Sequence, residues 1–89
     1  MIMDWNGLQK EKVQLGLLLL IIKGERGFLG CGYINVDACN RTGEACALVI
    51  GVKTHEDMLD ADIKAVSREA ERLGVRVGMK GREALELFR

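Results

Sequence analysis

The stretch Leu15-Gly-Leu-Leu-Leu-Leu-Ile-Ile22 is the most apolar part of the chain, and it decides the fold. A polar break with two glycines, Lys23–Gly27, separates it from a second apolar run, Phe28–Val36. Two short apolar segments joined by a glycine-containing loop of this length are typical of an antiparallel hairpin. We therefore predict that Leu15–Ile22 and Phe28–Val36 pair as antiparallel strands.

The first of these strands does not alternate between apolar and polar residues. Successive side chains of a strand point to opposite faces, so each face carries three apolar side chains: Leu17, Leu19 and Ile21 on one, and Leu18, Leu20 and Ile22 on the other. A fully buried aliphatic side chain contributes roughly 1.5–3 kcal/mol, so both faces need cover. Helices of an 89-residue chain can cover one face. The other is covered either by more helix or, as we favour, by a second copy of the chain.

The middle of the chain predicts a short helix followed by a third strand. Asn35 is placed to cap a helical turn over Val36–Arg41, and Gly43 is placed to end it. Ala45–Val52 is apolar at both parities, which predicts a strand in the centre of the sheet.

The last third of the chain has the signals of helices. Thr54 and Asp57 have the spacing of a capping box for a helix that starts at His55. An apolar stripe at helical spacing predicts one main helix that ends at Gly74, and its members are Leu59, Ile63, Val66, Ala70 and Leu73.

A short extended piece, Val75–Met79, and a final helix, Arg82–Phe88, complete the chain. The expected fold is a single α+β domain over residues 1–89, in which an N-terminal antiparallel hairpin and a third strand form a small sheet packed by C-terminal helices. The β region, about residues 13–52, would mediate oligomerisation, and about residues 54–89 would be helical.

Charge and length disfavour two classes of partner. The 13 Lys+Arg and 13 Asp+Glu residues cancel and form no basic stripe, so we expect no nucleic acid partner. The apolar run of Leu15–Ile22 is far shorter than the ~20 residues of a membrane-spanning helix. Charges in Lys23–Gly27 also interrupt any export signal. We expect no membrane association and a cytoplasmic location.

The three cysteines, Cys31, Cys39 and Cys46, are an odd number without CxxC spacing, and the chain has one histidine. Neither a disulfide framework nor a zinc site is expected from this pattern. We predict three free thiols, no metal and no cofactor. Cys39 and Cys46 each have an alanine neighbour and are expected in the core.

Cys31 is the candidate nucleophile because glycines on both sides, Gly30 and Gly32, would expose its thiol. His55 would act as its base and Asp57 would orient that base. The alternative is that Cys31 is an ordinary core residue of a strand, which is a common place for a free cysteine.

The candidate ligand-binding residues are Gly30, Gly32, Asn35, Lys53 and Thr54. Two glycines at same-face positions of a strand allow close approach of a ligand or of another element. The spacing of these glycines and Asn35 is an incomplete dinucleotide-binding pattern. Lys53 and Thr54 lie at a helix start, where free N–H groups can bind an anion; the alternative is that Thr54 only caps the helix.

Four motifs in order carry a resemblance to a known family: Cys31-Gly-Tyr-Ile-Asn-Val36, Gly51-Val-Lys-Thr-His-Glu-Asp-Met-Leu59, Glu69-Ala-Glu-Arg-Leu-Gly-Val75 and Gly78-Met-Lys-Gly-Arg-Glu-Ala-Leu85. From about Phe28 to Phe88 the chain resembles the YunC-like family of small bacterial and archaeal proteins of unknown function. The resemblance implies an α+β fold whose N-terminal β region mediates tetramer formation, and it implies no activity. Relatives can have Asp where this chain has Asn35, so we expect no acid–base role there.

Two hypotheses for function follow. The first is a small homo-oligomeric domain that is non-enzymatic or binds a small ligand, with its own copies as partners. The alternative is a small cysteine-dependent enzyme that uses Cys31 with His55.

Overall fold

The structure is a computed structural model that describes residues 5–16, 18–31 and 34–89. Its elements are β1 Gln9–Gln14, β2 Leu18–Lys23, β3 Phe28–Cys31, α1 Val36–Thr42, β4 Cys46–Leu48, α2 His55–Asp60, β5 Ala65–Val66, α3 Arg68–Arg72 and α4 Gly81–Phe88. The strands form one sheet in the order β1-β2-β3-β4-β5, and β3 and β4 are the parallel pair. The expected α+β fold is confirmed.

The predicted hairpin is confirmed as the antiparallel pair β2–β3, in which Leu20 lies opposite Cys31. Both strands are shorter than expected. The first begins at Leu18, because the chain turns at Leu15–Gly16, and the second ends at Cys31 in the described residues. Two residues named in the sequence analysis, Leu17 and Gly32, lie outside the described residues.

Strand β1 was not predicted from the sequence, in which the first expected strand was Leu15–Ile22. It pairs antiparallel with β2, and all six of its residues are exposed. A strand at the edge of a sheet can be polar on both faces, so Gln9–Gln14 lacks the apolar alternation that identifies half-buried strands.

One face of the sheet, the covered face, packs on α2 and α4. Leu20 and Ile22 of β2 and Leu29 of β3 are fully buried there. Their helical partners in the core include Met58, Leu85 and Phe88. The predicted final helix is thus confirmed, and its amphipathic pattern supplies this contact.

The single main helix predicted over Leu59–Leu73 is wrong. The chain leaves α2 at Asp60, forms β5 against β4, and starts α3 after Ser67. Backbone pairing explains the break: the Lys64 N–H donates to the Leu48 carbonyl over 2.8 Å. Leu59, Ile63 and Ala70 of the stripe are still buried, so the apolar spacing described burial correctly but not conformation.

The segment Val75–Met79, expected to be extended, contains a turn in which Gly78 adopts a φ of 94°. Turns of this kind favour glycine, because a left-handed backbone is strained for other residues.

A buried serine joins β4 to the start of α3. Ser67 Oγ accepts the Cys46 N–H (2.9 Å) and the Ala70 N–H (3.2 Å), and it donates to the Glu44 carbonyl (2.9 Å). Ser67 is the N-cap of α3 and is completely buried. Its hydroxyl therefore satisfies the N–H groups of Cys46 and Ala70, which water cannot reach.

The expectation of three free thiols is wrong, because Cys39 of α1 and Cys46 of β4 form a disulfide. Their Cα atoms are 6.5 Å apart, within the roughly 4.4–6.8 Å that a disulfide spans. The cysteines are seven positions apart in sequence, and the packing of α1 on the sheet brings them together. Cys31 is free and buried.

Candidate functional site

Cys31, the candidate nucleophile, is the last residue of β3 and is 5% exposed. It lies on the covered face, opposite the buried Leu20. Its thiol donates a long hydrogen bond of 3.9 Å to the Leu18 carbonyl. The strand thus gives Cys31 a core environment and a backbone partner.

His55, the candidate base, is the first residue of α2 and is half-buried. Its Nε2 lies 2.8 Å from the carbonyl oxygen of Glu11 in β1. A carbonyl only accepts, so Nε2 is the donor in this contact. His55 therefore ties the start of α2 to the outer strand of the sheet.

Cys31 lies in β3, whereas His55 begins α2 and contacts the backbone of β1. Glu11, the partner of His55, lies opposite Ile21, which in turn lies opposite Gly30. Two strand spacings, about 10 Å, separate the backbone contacted by His55 from β3. Within the described parts of the chain, no hydrogen bond joins Cys31 to His55. Their pairing as a catalytic couple stays a prediction.

Gly30 and Asn35, two of the candidate ligand-binding residues, have partners within the chain. A Cβ added at Gly30 would lie 2.8 Å from Ile34 Cγ1, so the close approach that this glycine permits is taken by Ile34. Asn35 caps α1 as predicted, with its Oδ1 accepting the Asp37 N–H over 2.7 Å.

Lys53 and Thr54, the other described candidates, lie at the start of α2. Thr54 Oγ1 accepts the Asp57 N–H over 3.0 Å, which confirms the predicted cap. The Lys53 N–H donates to Asp57 Oδ2 over 3.1 Å. These two backbone donors are therefore occupied by side chains of the same turn, and a role in anion binding stays a prediction.

The second face of the sheet is apolar, and Gly30 is the candidate residue described above that lies on it. We call it the open face and define it by Val13, Leu19, Ile21, Ile34 and Leu48. Val13 is 44% exposed, and the other four are half-buried. The sequence signal for this face was that β2 has apolar residues at successive positions, so that both of its faces are apolar.

A groove of about 320 Å³ lies where the open face meets α1. Its lining is apolar at Phe28, Ile34, Ala38 and Cys39 and polar at Asn35, Thr42 and Glu44. Ile34 belongs both to the groove and to the open face, so the two surfaces are continuous. The groove depends on the packing of α1 and has no signal in the sequence.

An exposed ion pair between Asp62 and Lys80 lies away from these surfaces. Lys80 Nζ donates to Asp62 Oδ1 over 2.7 Å. This hydrogen bond, together with the opposite charge, lowers the pKa of Asp62 below 3.8 and raises the pKa of Lys80 above 10.5. The pair links the residues after α2 to the start of α4.

The chain is similar to a family of domains, a curated protein and a solved structure. Residues 30–88 match a family described as a domain of unknown function, DUF1805. The uncharacterized protein YunC of Bacillus subtilis (strain 168) is 36% identical over 70 residues, which are 74% of this chain and 69% of that protein. A crystal structure of a protein of unknown function, TA1206 from Thermoplasma acidophilum, superposes with a TM-score of 0.79 at 30% identity, covering 92% of this chain and 93% of that one.

No helix in the described ranges is both long enough and apolar enough to cross a membrane.

Proposed function

The chain belongs to the DUF1805 family of domains of unknown function, and we propose that it works as a homo-oligomer assembled through its β region. The observation that carries the proposal is the open face. Leu19 and Ile21 lie in the same strand as the fully buried Leu20 and Ile22, yet remain half-buried. Extended apolar patches are rare on monomers and mark interaction surfaces.

A second copy is the occupant that fits this face. In a two-fold dimer the same patch meets itself, so an apolar patch is complementary to its own copy. Charges at the margin also agree with this arrangement: Glu11 lies opposite Ile21, and Lys23 lies two residues beyond it on the same face. Opposite charges on one face can pair between two copies.

Pairing of two β1 edges into one continuous sheet is disfavoured by charge. Such an arrangement sets residues of the same face opposite each other. In the two registers that overlap most of β1, Lys10 then faces Lys12, or Lys12 faces its own copy. His55 also occupies the Glu11 carbonyl of this strand. Face-to-face packing avoids both conflicts.

A tetramer, which the family resemblance implies, needs a further surface besides the open face. Ile50 follows β4 within the β region and is 67% exposed, which makes it a suitable position for that second contact. We propose the cytoplasm as the location, since neither charge pattern nor apolar run favours export.

Small-ligand binding is the second candidate function, and the groove beside α1 favours it. Its volume of about 320 Å³ falls at the small end of known ligand pockets, which have roughly 300–1,000 Å³. Asn35, Thr42 and Glu44 would supply polar contacts in a lining that is otherwise apolar. Screening metabolites for a rise in melting temperature, with an Ala38→Trp variant that fills the groove as control, tests this function.

Charge substitutions on the open face test the assembly. Leu19→Lys and Ile21→Lys should each lower the mass measured in solution by light scattering, because a lysine on a packed face must be desolvated. Gln14→Lys is the matched control: it adds the same charge in the adjacent strand at an exposed position and should leave the mass unchanged. Circular dichroism verifies that all three variants are folded. If both open-face variants keep the wild-type mass, assembly through this face is refuted.

A further inference from the structure

The disulfide between Cys39 and Cys46 attaches α1 to the sheet. Cys39 is the buried residue of this seven-residue helix, and its other six residues are exposed or half-buried. The other end of the bond is held firmly, because Ser67 binds Cys46 through both the backbone N–H and the backbone carbonyl. One side of the pair is thus rigid, and the other depends on a short helix.

Among the described residues, one hydrogen bond joins α1 to a distant element: Asn40 Oδ1 accepts the Arg68 N–H over 2.8 Å. A helix with little buried apolar surface opens locally at low free energy. The covalent bond is therefore a large part of what fixes α1 on the sheet.

The two sulfurs differ in their access to small molecules. Cys39 lines the groove of about 320 Å³ beside α1. Cys46 does not line it and is completely buried. A small thiol that enters the groove therefore reaches the Cys39 sulfur first.

From these observations we propose that Cys39 and Cys46 are a reversible thiol–disulfide pair that exchanges with low-molecular-weight thiols through Cys39, and that its redox state sets how firmly α1 is held. Disulfides in a reducing compartment are mostly transient or redox-sensing, so in the cytoplasm proposed above the pair would change state with the thiol pool. The groove adjoins the open face at Ile34, but the redox exchange is a property distinct from the proposed assembly.

The exchange is balanced with glutathione as the co-reactant. In oxidation, the Cys39 thiolate attacks oxidised glutathione, releases one glutathione thiol and forms a mixed disulfide. The Cys46 thiolate then attacks the Cys39 sulfur and releases the second glutathione. The protein loses two electrons and two protons in total, and oxidised glutathione is reduced to two thiols. Reduction runs the same steps in reverse.

A redox titration of the folded wild-type protein tests reversibility. The protein is equilibrated in glutathione buffers from fully reduced to fully oxidised, its thiols are trapped by alkylation, and peptides are identified by mass spectrometry. We expect Cys39 and Cys46 to pass between dithiol and disulfide, and Cys31 to remain a thiol. A pair that keeps one state throughout the series overturns the proposal, as does a pair that exchanges only when the whole protein unfolds.

Two cysteine variants test the order of attack. With oxidised glutathione, the Cys46→Ala variant should accumulate glutathione on Cys39. In the Cys39→Ala variant, Cys46 should be modified about tenfold more slowly, because its sulfur lies away from the groove. Equal rates of modification contradict attack through Cys39. Serine versions replace any alanine variant that does not fold.

Hydrogen exchange tests the link to α1. Reduction should raise amide exchange in residues 36–42 by about tenfold and leave β2 unchanged. Cys31→Ala keeps the pair and is expected to respond to reduction as the wild type does. Equal protection of α1 in both redox states overturns the anchoring role. None of these readouts depends on the mass of the assembly, so they remain informative if the chain is a monomer.

Discussion

Replacement of Ser67 by alanine removes a single oxygen atom, but it should destabilise this protein strongly. The change removes one hydroxyl that accepts the buried N–H groups of Cys46 and Ala70 and donates to the Glu44 carbonyl. Each buried donor left unpaired costs roughly 1–3 kcal/mol. Loss of an N-cap alone costs about 1 kcal/mol. Glu44 is exposed, so its carbonyl can bind water instead.

We therefore expect Ser67→Ala to lower the free energy of unfolding by about 3 kcal/mol. A domain of 89 residues has about 4–13 kcal/mol in total, so this is a large fraction. The melting temperature should fall by about 12–24 °C, at about 4–8 °C per kcal/mol.

The assay is urea unfolding followed by circular dichroism, with Thr42→Ala as the matched control. Thr42 also donates a hydroxyl hydrogen bond to a backbone carbonyl, that of Ala38, but it is exposed. Its loss should therefore cost no more than about 0.5 kcal/mol. A Ser67→Ala protein as stable as the Thr42→Ala protein would refute the reasoning that buried backbone groups depend on this hydroxyl.

Three further predictions concern the disulfide, a glycine and the exposed ion pair. Reduction of the disulfide should lower the unfolding free energy of the wild type by about 2.5 kcal/mol, the chain-entropy value for an eight-residue loop. The Cys39→Ser variant lacks the disulfide, so its unfolding free energy should not change with reductant. An equal change in both proteins would contradict a stabilising role of the disulfide. Gly81→Ala should lower the unfolding free energy by about 3 kcal/mol, because a Cβ there would lie 1.9 Å from the Met58 carbonyl oxygen. Gly78→Ala is the control: its Cβ meets no atom, but its φ is positive, so it should cost about 1 kcal/mol. Similar losses for the two variants in urea unfolding would exclude the steric cause. Because the pKa of Asp62 is lowered, its pairing stabilises the fold above pH 3.8 and is lost as the pH falls towards the folded pKa, whereas the raised pKa of Lys80 gives a contribution that is lost above pH 10.5. In an NMR titration, the pKa of Asp62 should rise more in Lys80→Gln than in the control Lys64→Gln, and equal rises would contradict the assigned cause.

Structural features formed by residues close together in the sequence were predicted well. Asn35 and Thr54 cap their helices as their sequence positions indicate, and Gly43 ends α1 with a φ of 76°. The β2–β3 hairpin also follows from two apolar runs and a short glycine-containing loop. In each case the deciding interaction spans only a few residues.

The arrangement of the candidate site residues could not be predicted as well from the sequence. Cys31 and His55 were chosen for their chemistry, but side-chain chemistry alone contains no distance between two residues 24 positions apart. The structure gives them separate backbone partners on two strands. The groove beside α1 was not predicted, because it is formed by elements whose packing angle no local pattern encodes.

The sequence by itself determined the α+β class, the hairpin, the helix caps and the excess of apolar residues in β2. Only the tertiary structure decided three other features: that the polar Gln9–Gln14 is a strand, that Ala65–Val66 pairs with β4 instead of continuing a helix, and that Cys39 meets Cys46. The physical reason is common to all three. Local propensity and apolar spacing act over a few residues, whereas strand pairing and disulfide contact bring together groups whose partners lie elsewhere in the chain.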